Sequence, residues 1–143
     1  MERNDKLIGT WKLVSASSTT SKGEPSDSPY GTSPAGLLTY TEDGRVSVVI
    51  SHGGRRPLPP LATMEQHADA FNTFLAYAGK YTISGGEIIH SVEISSIQNY
   101  VGKDLVRTVK FQGDQIILAT PPTPIKGKTR IIELIWERLD AGV

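Results

Sequence analysis

Residues 8–15 read IGTWKLVS. Apolar and polar side chains alternate through this stretch, which is the pattern of a strand with one buried face. Trp11, Leu13 and Ser15 fall on one side, and Thr10, Lys12 and Val14 on the other. Gly9 lets another group approach the backbone closely, and the tryptophan ring that follows needs a cavity floor to fill. A barrel would supply one.

The rest of the chain supplies seven more strand-like runs. GLLTYT and RVSVVIS flank EDG, a tight hairpin signal. KYTIS, EIIHSVEIS, DLVRTVKF and QIILAT follow, with GG and QGD as short connections after KYTIS and DLVRTVKF. TRIIELIWERL closes the series after the loop PPTPIKGK. TTSKGEPSDSPYGTSP and HGGRRPLPP have the composition of surface loops. One helix is expected over about 63–78, TMEQHADAFNTFLAYA. Thr63 and Gln66 match a capping box, and Gly79 supplies a C-terminal stop. Met64, His67, Ala68, Phe71, Phe74, Leu75 and Ala78 form one apolar stripe at helical spacing, expected to lie on a barrel or across its mouth. With no internal repeat and no domain boundary, residues 1–143 read as one all-β domain. The expected architecture is an eight-stranded antiparallel up-and-down β-barrel with one α-helix packed near its mouth.

Composition narrows the function. Lys+Arg and Asp+Glu are 15 each, so the chain lacks the basic excess of a nucleic-acid or anionic-membrane binder. There is no cysteine, which removes disulfides, thiolate metal sites and cysteine nucleophiles and fits a reducing compartment. The opening MERNDKLIG is polar and reads as no signal peptide, and no apolar run approaches membrane-spanning length. The expectation is a soluble, cytoplasmic protein. His52, His67 and His90 show no metal-ligand spacing, so no metal and no cofactor is expected.

Alternation sorts the side chains of each run by face. The expected interior carries Leu38 and Tyr40, then Val46, Val48 and Ile50, then Tyr81 and Ile83. Ile88, His90, Val92 and Ile94 share a face, as do Leu105, Arg107, Val109 and Phe111, and as do Ile132, Leu134, Trp136 and Arg138. His90 and Arg107 stand out because they fall on otherwise apolar faces, where a charge is costly unless paired. His90 has the pKa range of a general acid or base, and its alternative is a hydrogen-bonded interior histidine. Arg107 has the donor fork for an oxyanion, enolate or carboxylate, and its alternative is a structural ion pair. Tyr40 brings a hydroxyl that must find a partner if buried. Tyr40, Tyr81 and Trp136 suit stacking on a conjugated ligand but equally suit a packed core. His67 faces the cavity or packs at the helix–barrel seam. Asn99 and Tyr100 sit in a loop that covers the mouth or simply turns the chain.

The ordered segments LIGTWKLVS, PYGTSPAGLLTYTEDGRVSV, FLAYAGKYTI, HSVEISSIQNYVGKDLVRTVKF, ILATPP and LIWERL resemble the small bacterial and fungal lipocalin-like domains of the calycin superfamily. The resemblance implies an eight-stranded calycin barrel. It also implies that Trp11 closes the barrel floor and packs against a basic residue of the last strand, here Arg138. One departure is visible: the family usually has Trp after the Asn of Pro-Asn-Trp-x-Gly, where this chain reads QNYVG, with Gln98 and Tyr100.

Three functions are compatible with these residues. The first is a binder of a small, mainly apolar organic molecule, with Leu38, Tyr40, Val48, His67, Phe71, Phe74, Tyr81, His90, Val92, Asn99, Tyr100, Arg107, Val109 and Trp136 around it. The second is a cofactor-free cyclase or isomerase of a polyketide- or terpenoid-like intermediate, with His90, Arg107 and Tyr40 as its catalytic groups. The third is an interaction module with a filled barrel. Ile131 and Ile135 on the outer face of the last run leave a homo-oligomer open.

Overall fold

The structure, a computed structural model, describes residues 5–20, 22–125 and 127–139. Among these the strands are β1 (Gly9–Thr20), β2 (Pro25–Ser26), β3 (Ala35–Tyr40), β4 (Arg45–Ser51), β5 (Phe74–Ser84), β6 (Glu87–Ser95), β7 (Asp104–Gln112), β8 (Gln115–Ala119), β9 (Thr123–Ile125) and β10 (Lys128–Arg138). One α-helix, α1 (Met64–Asn72), joins β4 to β5, and a short 3-10 turn (Gln98–Tyr100) joins β6 to β7. Eight long strands run β1-β3-β4-β5-β6-β7-β8-β10, every neighbour antiparallel. β10 returns to β1, from Trp11↔Arg138 to Thr20↔Arg130, and closes the barrel. These are the eight runs expected from alternation. β2 and β9 are short additions on β1 and β10.

The floor is built as the resemblance implies. Trp11 is 1% exposed, and its indole N–H donates to the Leu7 carbonyl at 2.9 Å. The Arg138 guanidinium carbon stands 4.3 Å from the centre of the Trp11 ring. That guanidinium also donates to the carbonyls of Ile8, at 2.7 Å, and Lys6. Gly9 answers the opening stretch: its φ is +136°, and a Cβ there would meet Arg138 Nη1 at 2.6 Å. The glycine is what lets the arginine cross beneath the tryptophan.

The helix differs from its expectation. Its capping box is present, with Thr63 Oγ1 accepting from Gln66 N at 3.1 Å and Gln66 Oε1 accepting from Thr63 N at 2.9 Å. It ends at Asn72, however, and Phe74–Ala78 belongs to β5. An apolar run as short as FLAYA satisfies a helical and an extended period equally. Pairing decides it, because Phe74–Lys80 supplies seven ladder partners to β4, whose edge would otherwise be open. The apolar stripe does not cover the barrel either. No residue of α1 is buried, and Met64 is 89% exposed. The helix sits at the open end of the barrel but outside its cavity.

Two bulges correct the face assignments. Val14 is an extra residue between Leu13↔Trp136 and Ser15↔Ile135, so alternation inverts and Ser18, not Ser15, becomes the buried polar residue of β1. Glu93 is the extra residue between Gly79↔Val92 and Ala78↔Ile94. It turns Ile94 outward, 71% exposed, where the sequence placed it beside His90. At this crossing a Cβ on Gly79 would fall 1.9 Å from the Ser91 carbonyl oxygen, so only glycine fits.

Candidate functional site

The barrel encloses a polar cluster at His90. Its side chain projects inward from β6, flanked by Ile88 and Val92, and is 1% exposed. Both ring nitrogens are held. Tyr40, from the end of β3, places its hydroxyl 2.6 Å from Nε2. Tyr77, from β5, places its hydroxyl 2.6 Å from Nδ1. Burial, and then the nearby Arg107 charge, lower the His90 pKa from 6.5 to about 3. Burial likewise raises the pKa of Tyr40 and Tyr77, with Arg107 opposing it. At neutral pH the cluster is therefore uncharged, a tyrosine–histidine–tyrosine array.

The depressed His90 pKa sets an acid response. The unfolded chain takes up a proton near pH 6.5, whereas the folded one resists until about pH 3. The stabilisation is complete above pH 6.5 and is lost as pH falls through that window. Wild type should lose unfolding free energy there with a slope approaching about 1.4 kcal/mol per pH unit beyond that of His90→Gln. Urea midpoints measured across the window check this. Parallel profiles for the two proteins would refute the assignment.

Above the cluster lies a small chamber of about 30 Å³, walled by Leu38, Val48, Ile50, Tyr77, His90 and Trp136, among others. It adjoins an outer cavity of about 480 Å³ at the mouth. The two share Tyr30, Arg107, Leu118 and Leu134 as walls. Arg107 projects inward from β7, with Leu105 and Val109, and stands at the junction. Its Nη1 donates to the Val106 carbonyl at 2.9 Å, and among the described residues no carboxylate lies within ion-pair distance. Tyr30 closes the junction from the loop before β3, its ring packed edge-on to His52 with centroids 5.6 Å apart. A larger groove of about 860 Å³ runs between the 54–59 loop and α1, but it lies outside the barrel.

The structure brings together Leu38, Val48, His90, Arg107 and Trp136 around the inner chamber. Tyr40 lies beneath it, bonded to His90. Tyr81 packs against Tyr40, with centroids 4.8 Å apart, and gives its hydroxyl to the Thr41 carbonyl at 2.9 Å. Val92 is core, and Val109 packs against that core. Tyr100 lines the outer cavity, while Asn99 beside it is exposed. Three residues of the expected stripe fall elsewhere. His67 and Phe71 are exposed on α1, and Phe74 is half-buried at the start of β5 with the Arg55 guanidinium 5.3 Å from its ring centre. Their helical spacing put them on one face, but His67 and Phe71 are exposed on α1 and Phe74 belongs to the ladder with β4.

Sequence reasoning missed Tyr77 and Tyr30. Tyr77 was hidden inside the expected helix, although Leu75, Tyr77, Gly79 and Tyr81 also repeat at period two. Tyr30 sat in a stretch whose Ser, Gly and Pro content reads as loop; its PYG motif, one of the segments carrying the family resemblance, was the available signal.

Comparison with known proteins agrees with this architecture. The chain is 35% identical over 86 residues to the 4'-hydroxy-3'-methoxypropiophenone carrier protein of Aspergillus oryzae, a match that spans 54% of this chain and 78% of that protein. Residues 8–139 match the family model described as the lipocalin-like domain. From the Gly9–Trp11–Arg138 floor to the last strand, the chain belongs to the lipocalin-like domain family.

Proposed function

We propose that this protein binds and carries a small, mainly apolar organic molecule in its barrel. The observation that carries this reading is the adjacency of the two cavities: a mostly apolar outer space of about 480 Å³ shares the walls Tyr30, Arg107, Leu118 and Leu134 with a chamber that ends on buried polar groups. Apolar walls with a few convergent polar groups are the usual construction of a small-molecule site. The similarity to a carrier of an oxygenated aryl ketone supports the same class of cargo here, an oxygenated aromatic of natural-product kind. The space inside the barrel is only about 30 Å³, so it is the outer cavity of about 480 Å³ at the mouth that favours binding over a filled barrel. The state of His90 argues for carriage over a cyclase or isomerase, because both of its nitrogens are occupied by tyrosine hydroxyls and its basicity is low.

Leu134→Trp tests the reading, since it adds bulk to a wall common to both cavities. Native mass spectrometry and fluorescence titration with a panel of aryl ketones should show one ligand per wild-type chain. The variant should bind about 10-fold more weakly or not at all. Equal binding by both proteins would place the ligand elsewhere, and no binding by wild type would remove the carrier reading.

A further inference from the structure

The hydrogen-bond count around His90 leaves a proton over. A neutral imidazole has one N–H and one acceptor nitrogen, and each tyrosine brings one O–H. Two contacts use two of these three protons, so one tyrosine donates to the ring and the other accepts from it. The accepting tyrosine keeps its own O–H for a further partner. If that were Tyr40, 1% exposed and absent from the cavity wall, its proton would be stranded in the core at an energetic cost. Tyr77 lines the chamber, so an occupant can take its proton. The lower-energy arrangement has Tyr40 donating to Nε2, Nδ1–H donating to Tyr77, and the Tyr77 O–H directed at the chamber.

The other polar groups there are donors too. Arg107 carries a positive charge with only the Val106 carbonyl as a described partner. The indole N–H of Trp136, another wall of the chamber, is buried without an acceptor among the described residues. The acceptor nitrogen of His90 is taken by Tyr40. The titratable groups that feel the Arg107 charge are His90 from β6, Tyr40 from β3, Tyr77 from β5 and Tyr30 from the loop before β3, all neutral at physiological pH because burial lowers the histidine pKa and raises those of the tyrosines. The nearest acidic residue along β7, Asp104, accepts from the Ser91 hydroxyl at 2.9 Å and lines the outer cavity but not the inner chamber. The chamber thus offers a cation and donor hydrogens with no anion.

We infer that the ligand binds as an oxyanion, an ionised phenol, enol or carboxylate on an apolar body, with the charged oxygen between the Arg107 guanidinium and the Tyr77 hydroxyl. This rests on the carrier reading and adds the chemical class of the cargo. Volume sets the orientation. The chamber of about 30 Å³ has space for a group the size of a water, so the oxygen points inward while the apolar body fills the outer cavity. A neutral carbonyl would satisfy one donor but leave the arginine charge uncompensated. Charge-assisted bonds to an anion satisfy both.

The test uses para-hydroxypropiophenone, its methyl ether and benzoate with the wild-type protein. The ionised phenol absorbs at longer wavelength than the neutral one, so the spectrum reports which form is bound. The bound phenol should ionise at a pH lower by about one unit or more than in solution. The methyl ether should bind about 10-fold more weakly. Benzoate separates a general oxyanion site, which takes it, from one restricted to ionised phenols and enols. Arg107→Gln should abolish the spectral shift and the discrimination. Nitrogen NMR of the ligand-free protein should show the Nδ1–H tautomer of His90. Equal binding of phenol and ether, a neutral spectrum for the bound phenol, or an Nε2–H tautomer would overturn the oxyanion site while leaving the carrier standing. If none of the three compounds binds, both readings fall together.

Discussion

Trp11→Ala is expected to destabilise the protein by about 3–5 kcal/mol, the range for removing a large buried aromatic side chain. The indole is 1% exposed and forms the floor of the barrel. Its loss opens a cavity that the neighbouring strands cannot collapse into, because both β3 and β10 are hydrogen-bonded to β1 at this position. It also removes the surface under the Arg138 guanidinium and the donor to the Leu7 carbonyl. The effect corresponds to a fall in Tm of about 10–15 °C for a domain of this size. Urea unfolding should show a lower midpoint with an unchanged slope. Trp11→Phe, which keeps a ring over the floor, should lose clearly less. A loss below about 1 kcal/mol for the alanine variant would mean that the floor does not depend on this residue.

His90→Leu should also be costly, at about 3–5 kcal/mol, but through polarity rather than volume. The leucine fills most of the space and removes both partners of the tyrosine hydroxyls at once. A buried hydroxyl left without a partner costs about 1–3 kcal/mol. The two tyrosines are not equivalent. Tyr40 has no route to water, whereas Tyr77 opens on the chamber. Adding Tyr40→Phe to His90→Leu should therefore recover about 1–2 kcal/mol, and adding Tyr77→Phe should recover less. Chemical denaturation of the single and double variants measures these differences. Equal recovery from the two phenylalanine substitutions would contradict the assignment of Tyr77 as the group facing the chamber.

Much of this molecule was legible in the chain. Alternation at period two is local, so it located the eight long strands and put His90, Arg107, Leu38, Val48 and Trp136 on inner faces without knowledge of any partner. The family resemblance paired Trp11 with Arg138 across the whole length of the sequence, as the structure shows. Tyr40 was singled out because a buried hydroxyl needs a partner, and it has one in His90.

Other features belong to pairs of strands and could not be read from one. A bulge is a mismatch between neighbours, so the inversions at Val14 and Glu93 that turn Ser15 and Ile94 off their expected faces exist only once the strands pair. The boundary between α1 and β5 followed from the open edge of β4, which outweighed the helical spacing of Phe74, Leu75 and Ala78. The same choice moved Tyr77 into the interior and left His67 and Phe71 in solvent. The sequence by itself determined the strands and the presence of a histidine and an arginine inside the barrel, because those follow from local period and residue type, while the floor followed from the family resemblance its motifs carry. Only the tertiary structure decided that two tyrosines close on the histidine and leave the arginine without a described carboxylate, because those contacts join residues from four separate strands.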